Sequence, residues 1–150
     1  MITLIQTLIF VSYIGFLLVK FKRPLSSISD SWYKLDGNLK HLFTAFCWSL
    51  GFLQLFQTDG SSGFFFLAGA GLIFTGAATA FKESMTGTIH FIGAYTCIIS
   101  SLVALIVERN NYIPAILFGI VAIILYALKI KNRTWWVEIA AFACILIGLC

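Results

Sequence analysis

The chain has 150 residues, of which 60% are apolar and 11% charged, with a formal net charge of +4 and a mean hydropathy of +0.97. A soluble globular chain is nearer half apolar and a quarter charged, and so few charges cannot cover a water-soluble fold of this size. The apolar excess is expected to face lipid, and no basic run is dense enough to suggest a nucleic-acid partner.

A bilayer-spanning helix takes about 20 mostly apolar residues. Six segments approach that: 2–19, 41–56, 63–81, 88–107, 112–128 and 135 to the C-terminus. The expected fold is therefore all-α, a single polytopic transmembrane bundle of about six helices. In the first segment no charge precedes the apolar run, and Lys20, Lys22 and Arg23 follow it. A secretory signal has the opposite order, so this reads as a retained membrane helix, ended by Pro24.

The connector from Lys20 to Lys40 carries Leu25, Ile28, Trp32 and Leu35 at spacings of three, four and three. That places them on one helical face, which predicts a short amphipathic helix on the membrane interface. An irregular loop with interfacial Trp32 and Tyr33 fits equally well. The second segment carries His41, Thr44 and Trp48 on one face. The third is rich in small residues, including Gly69, Gly71 and Gly76, which let backbones approach closely. It is expected to be a central helix packed within the bundle. Homo-oligomerisation, with Gly76 and Ala80 as a small pair, is the alternative use of that face.

In the fourth segment His90, Gly93, Cys97 and Ser100 recur at helical spacing. The sixth carries Glu138 one turn inside its start, after Trp135 and Trp136. The breaks at 58–63, 82–87, 108–111 and 129–134 are short and polar, so sequential helices should be antiparallel neighbours. Cys47, Cys97 and Cys144 lie in apolar segments without any C-x-x-C pair and read as small buried side chains. Continuous apolar runs exclude the alternation of a membrane β-barrel.

With six spans, nine of the ten Lys and Arg residues fall on one side, leaving only Arg109 opposite. The basic side is the cytoplasmic one, which puts both termini outside and the protein in the cell membrane as a multi-pass chain. Asp30, His41, Glu83, His90 and Glu138 then share one depth, near the cytoplasmic helix ends, with Asp36, Thr79 and Lys82 close by. Ionisable groups avoid lipid and turn inward, so these five are the candidate ligand-binding residues. Carboxylates at mid-membrane depth are lacking, which argues against a pump or ion-coupled carrier.

The leading expectation is a non-enzymatic protein that binds a membrane lipid or other amphiphile at this end. No cofactor is expected. Neither histidine sits in an H-x-x-x-H or H-E-x-x-H pattern, so no metal site is expected from spacing. The alternatives are a metal-dependent membrane-embedded lipid hydrolase, with zinc on His41, His90 and Asp30, and a channel or transporter subunit assembled through the third helix.

The stretch Ser27-Ile28-Ser29-Asp30-Ser31-Trp32-Tyr33, straight after the first helix, resembles small uncharacterised six-helix bacterial and phage membrane proteins. More distantly it is similar to the six-helix family of DRAM and Sfk-type proteins. Ile89-His90-Phe91-Ile92-Gly93-Ala94-Tyr95 resembles the histidine-bearing start of a middle helix there. The resemblance implies that Asp30 and His90 lie near each other at one membrane face. It extends, still more distantly, to membrane hydrolases of the alkaline ceramidase type, whose zinc-binding histidines are only partly matched by His41 and His90.

Overall fold

The structure is a computed structural model that describes residues 1–58, 63–78 and 83–150, with the backbone alone over 83–87. The expectations placed on Thr79, Ala80, Lys82 and the side chain of Glu83 lie outside the described residues. Among those residues all regular structure is helical: α1 (Ile2–Phe21), α2 (Ser31–Lys34), a 3-10 turn (Gly37–Lys40), α3 (His41–Leu55), α4 (Phe64–Ala77), α5 (Glu83–Val107), α6 (Ile113–Ala127) and α7 (Arg133–Leu149).

The helix ends follow local chemistry. α1 stops where Lys22 adopts a left-handed backbone and its N–H closes on the Leu18 carbonyl, two residues before Pro24 forbids further helix. α5 starts at Glu83, earlier than the polar run 82–87 suggested. α6 carries Pro114 in its first turn, where its missing N–H is not needed. The left-handed Asn132 leads into α7.

Five of the longer helices close a ring in the order α1, α3, α4, α5, α7, and α6 lies outside it against α7 and α5. In α6 only Pro114 is buried. Two helical stretches, Ile2–Phe21 and Thr88–Val107, are long and apolar enough to cross a membrane, and Phe64–Ala77 and Ile113–Ala127 are shorter apolar helices. The outward faces are strongly apolar, with Leu4, Phe66, Ile92 and Ile123 all more than half exposed.

The tightest packing is made by glycine. A Cβ on Gly69 of α4 would come within 2.7 Å of the Gly51 carbonyl oxygen of α3, and one on Gly71 within 2.7 Å of the Gly93 carbonyl of α5. The converse contacts are as close: 2.9 Å from Gly51 to the Gly69 oxygen and 2.7 Å from Gly93 to the Gly71 oxygen. α4 therefore lies backbone against backbone with both neighbours, as its small residues predicted. Trp48 Nε1 donates to the Ile73 carbonyl at 3.2 Å and Thr44 Oγ1 to the Gly76 carbonyl at 3.3 Å, so the polar face of α3 is spent on α4.

The 20–40 connector departs from an interfacial helix. Only Ser31–Lys34 forms an α-turn, and Leu25, Ile28 and Leu35 are buried against the longer helices, with Trp32 partly so. The apolar face was real. It turns inward under the helix ends because those ends leave a space that only side chains from this segment fill.

Replacing Gly71 or Gly93 by Ala should cost about 1–3 kcal/mol through overpacking against backbone, read as a lower melting midpoint in detergent. Gly119→Ala, with nothing within 4 Å of the added methyl, should be neutral or stabilising by up to about 1 kcal/mol.

Candidate functional site

The connector and the start of α7 build one end of the molecule together. Trp135, fully buried, donates its backbone N–H to the Ser26 carbonyl at 3.2 Å. Asn132 Nδ2 donates to the Pro24 carbonyl at 3.0 Å. One turn on, a Glu138 carboxylate oxygen accepts the Ile28 N–H at 2.5 Å. From the other side Tyr13 of α1 shares a 2.7 Å hydrogen bond with the buried Ser31 hydroxyl, which also donates to the Ile28 carbonyl at 2.6 Å. The Ile28–Ser31 turn is thus gripped on both flanks.

Beneath the turn is a cavity of about 40 Å³, lined by Ser29 above, Cys47, Thr75 and Cys97 around, and His90 and Glu138 on facing helices. That is room for roughly three waters. The Phe43 ring lies 6.1 Å from the imidazole of His90. Two of the five candidate residues are therefore brought together here.

Asp30 does not line the cavity. Its carboxylate accepts the Ser26 hydroxyl at 2.5 Å and pairs with Lys34 at 2.9 Å. Its partial burial would raise its pKa, but these donors outweigh that and hold it below the usual carboxylate value. His41 does not join them. It is exposed at the start of α3, with its ring edge-on to Trp32 at 5.2 Å. No group of three His, Cys, Asp or Glu residues suited to a metal ion occurs among the described residues, so His41, His90 and Asp30 do not form the zinc set of the hydrolase alternative.

A second polar cluster lies at the opposite end, where the α3–α4 and α5–α6 connections meet the termini. Gln6 Nε2 of α1 donates to Gln54 Oε1 of α3 at 3.0 Å, with both side chains buried. Gln57 Nε2 reaches Gln6 Oε1 at 3.4 Å, and Arg109 reaches Gln57 Oε1 at 3.4 Å. Gln6 and Gln54 line a cavity of about 20 Å³ with Ser101. Sequence reasoning left out Gln6. Its signal was available: it is the one amide in an otherwise apolar first helix, and such a group in apolar surroundings seeks a partner. Tyr13 and Ser31 carried no such signal, since their pairing depends on how the connector folds back.

Compared with protein-family models, curated proteins and solved structures, the chain matches none.

Glu138→Ala removes a charge-assisted acceptor from a buried N–H, a loss of about 1.5–3 kcal/mol. Hydrogen exchange at the Ile28–Ser31 amides should rise sharply, and unchanged exchange would contradict the grip described. Asp30→Asn should cost up to about 1 kcal/mol at neutral pH, as a partly exposed pair. The folded pKa of Asp30 lies below the unfolded value of about 3.9. Its contribution is therefore full above that value and is lost as pH falls through the lowered one. The wild-type and Asn variants should differ in melting midpoint at pH 6–8 and converge in strong acid.

Proposed function

We propose that this chain is a multi-pass membrane protein of six spans that seats the small polar end of a membrane amphiphile between Glu138 and His90. The observation that carries this is an inverted distribution of polarity. Large apolar side chains stand on the outside, while Glu138, His90, Gln6 and Gln54 turn into the ring of helices. Water-soluble folds favour the reverse, and lipid-exposed ionisable groups are costly.

Charge placement supports a cytoplasmic position for the connector end. Lys20, Lys22, Arg23, Lys34, Lys40, Lys129, Lys131 and Arg133 belong to it, and Arg109 stands at the other. By the positive-inside tendency, both termini then lie outside. The shorter helices reach across with help from flanking polar residues and interfacial aromatics such as Trp136 and Tyr126.

Cavity size constrains the ligand. At about 40 Å³ it suits a hydroxyl, amide or amine and excludes a whole phosphate-bearing headgroup. Glu138 offers an acceptor and His90 a donor or acceptor. Of Asp30 and His90, the positions carried by the resemblance to the DRAM and Sfk-type family, His90 lines the cavity and Asp30 lies outside it. Asp30 acts by fixing the turn, and His41 and Glu83 have no part in this reading. The hydrolase alternative has no assembled ligand set to support it.

Purified from membranes in mild detergent, the chain should retain an amine- or hydroxyl-ended amphiphile visible by native mass spectrometry. His90→Ala and Glu138→Gln should each lose it. Extraction of the chain from membranes by alkaline carbonate would overturn the membrane reading. A firmly inserted chain whose two variants retain the same lipids as wild type would overturn the assigned site alone.

A further inference from the structure

The two cavities are successive turns of one path. Along α3 the lining residues step from Cys47 to Leu50 and Gln54, along α5 from His90 to Cys97 and Ser101, and along α7 from Glu138 to Phe142 and Leu146. Each step is about one or two helical turns in the same direction, so the cavities stack along the helix axes inside the ring. They share three lining residues, Leu72, Cys97 and Phe142. Those side chains border both cavities and form a septum between them.

Polar groups continue on both sides of this septum. On the connector side are Glu138, His90 and Thr75. On the other are Ser101, Gln54 and Gln6, followed by Gln57 and Arg109 at the mouth. The Gln54 side chain is 5% exposed, and its Nε2 has no hydrogen-bond partner among the described residues although it is buried at the second cavity. An unmatched amide donor there calls for a water, since leaving it bare costs about 1–3 kcal/mol. The second cavity, at about 20 Å³, holds one.

We propose that this stack is a proton-conducting water path through the protein, closed at rest by Phe142 and Leu72. It rests on the membrane reading above, because a path between two ends of a molecule in water would conduct nothing, and it runs when waters rather than the amphiphile's polar end occupy the inner cavity. The permeant follows from size: cavities for one and about three waters pass a proton by hopping and admit no hydrated metal ion or solute. Each water accepts one proton and passes on another, so nothing is oxidised, reduced or consumed. Glu138 takes up or releases the proton at the inner end, with His90 and the Cys97 thiol from α5, the Cys47 thiol from α3 and Asp30 from the connector as the other titratable groups nearby. The neutral Ser101 and the glutamines orient waters beyond the septum, which is why no mid-membrane carboxylate is needed. The Phe142 ring is stacked against Phe10 at 5.2 Å and tilted against Phe46 at 5.8 Å, so its turning within that cluster opens the path.

The test is proton flux into vesicles of phosphatidylcholine and phosphatidylglycerol carrying the full chain, with a pH dye inside and a potassium diffusion potential set by valinomycin. Wild type should acidify the lumen faster than protein-free vesicles. Phe142→Ala and, separately, Leu72→Ala should raise the rate several-fold, and Glu138→Gln added to either should abolish the gain. Lumenal potassium measured without valinomycin should not change. If the inserted wild type and both septum variants match protein-free vesicles, the path is overturned while the membrane reading stands. Potassium leakage alongside the protons would overturn the proton-selective path. If the chain fails to insert, both readings fall.

Discussion

The close approach of three backbones is the constraint on which the rest of the architecture depends. Gly51 and Gly69, then Gly71 and Gly93, bring α3, α4 and α5 to distances at which no Cβ fits. Dispersion and weak backbone contacts take over from side-chain interdigitation there. The three helices become one curved wall, and the ring must be completed by α1 and α7 with larger side chains. The aromatic residues Phe10, Tyr13, Phe46 and Phe142 serve that purpose. They fill the middle incompletely, and the two small cavities occupy what remains.

The number and position of the long helices could be read from the sequence, because each is a continuous apolar run bounded by polar turns. The close backbone packing of α4 was also legible, since its glycines have few other uses in an apolar helix. The connector was only half legible. The spacing of Leu25, Ile28 and Leu35 revealed an apolar face, but a period cannot say what that face meets. Buried hydrogen bonds from Tyr13, Trp135 and Glu138 decide the outcome, and each joins residues more than fifteen positions apart. The candidate site shows the same division. Common depth grouped five residues, of which the structure brings His90 and Glu138 to one cavity; depth follows from position along a helix. It failed to separate His41, because the direction a side chain takes around the helix depends on neighbours. The outward turn of His41 toward Trp32 is a tertiary fact.

The grip on the Ile28–Ser31 turn also explains how a carboxylate is accommodated in this setting. Glu138 gains a backbone N–H, and the turn gains an acceptor that its irregular geometry otherwise lacks. A buried unpaired group on either side would be costly; together they satisfy each other. Asp30, a few residues away, instead meets Ser26 and Lys34 near the surface. Two carboxylates in one neighbourhood thus have different partners, one structural and partly buried near the surface, the other facing enclosed space.

The unequal lengths of the helices have a consequence of their own. α4 and α6 have 14 and 15 residues, a rise of about 21–23 Å, beside the 20 residues of α1 and 25 of α5. A hydrocarbon layer is about 30 Å thick. On the membrane reading proposed above, a bilayer around this molecule would be pinched along the α6 flank and relaxed along α1. Such mismatch costs fractions of a kcal/mol for each ångström. The molecule would therefore partition toward thinner, less sterol-rich membranes and would deform lipids unevenly around its perimeter.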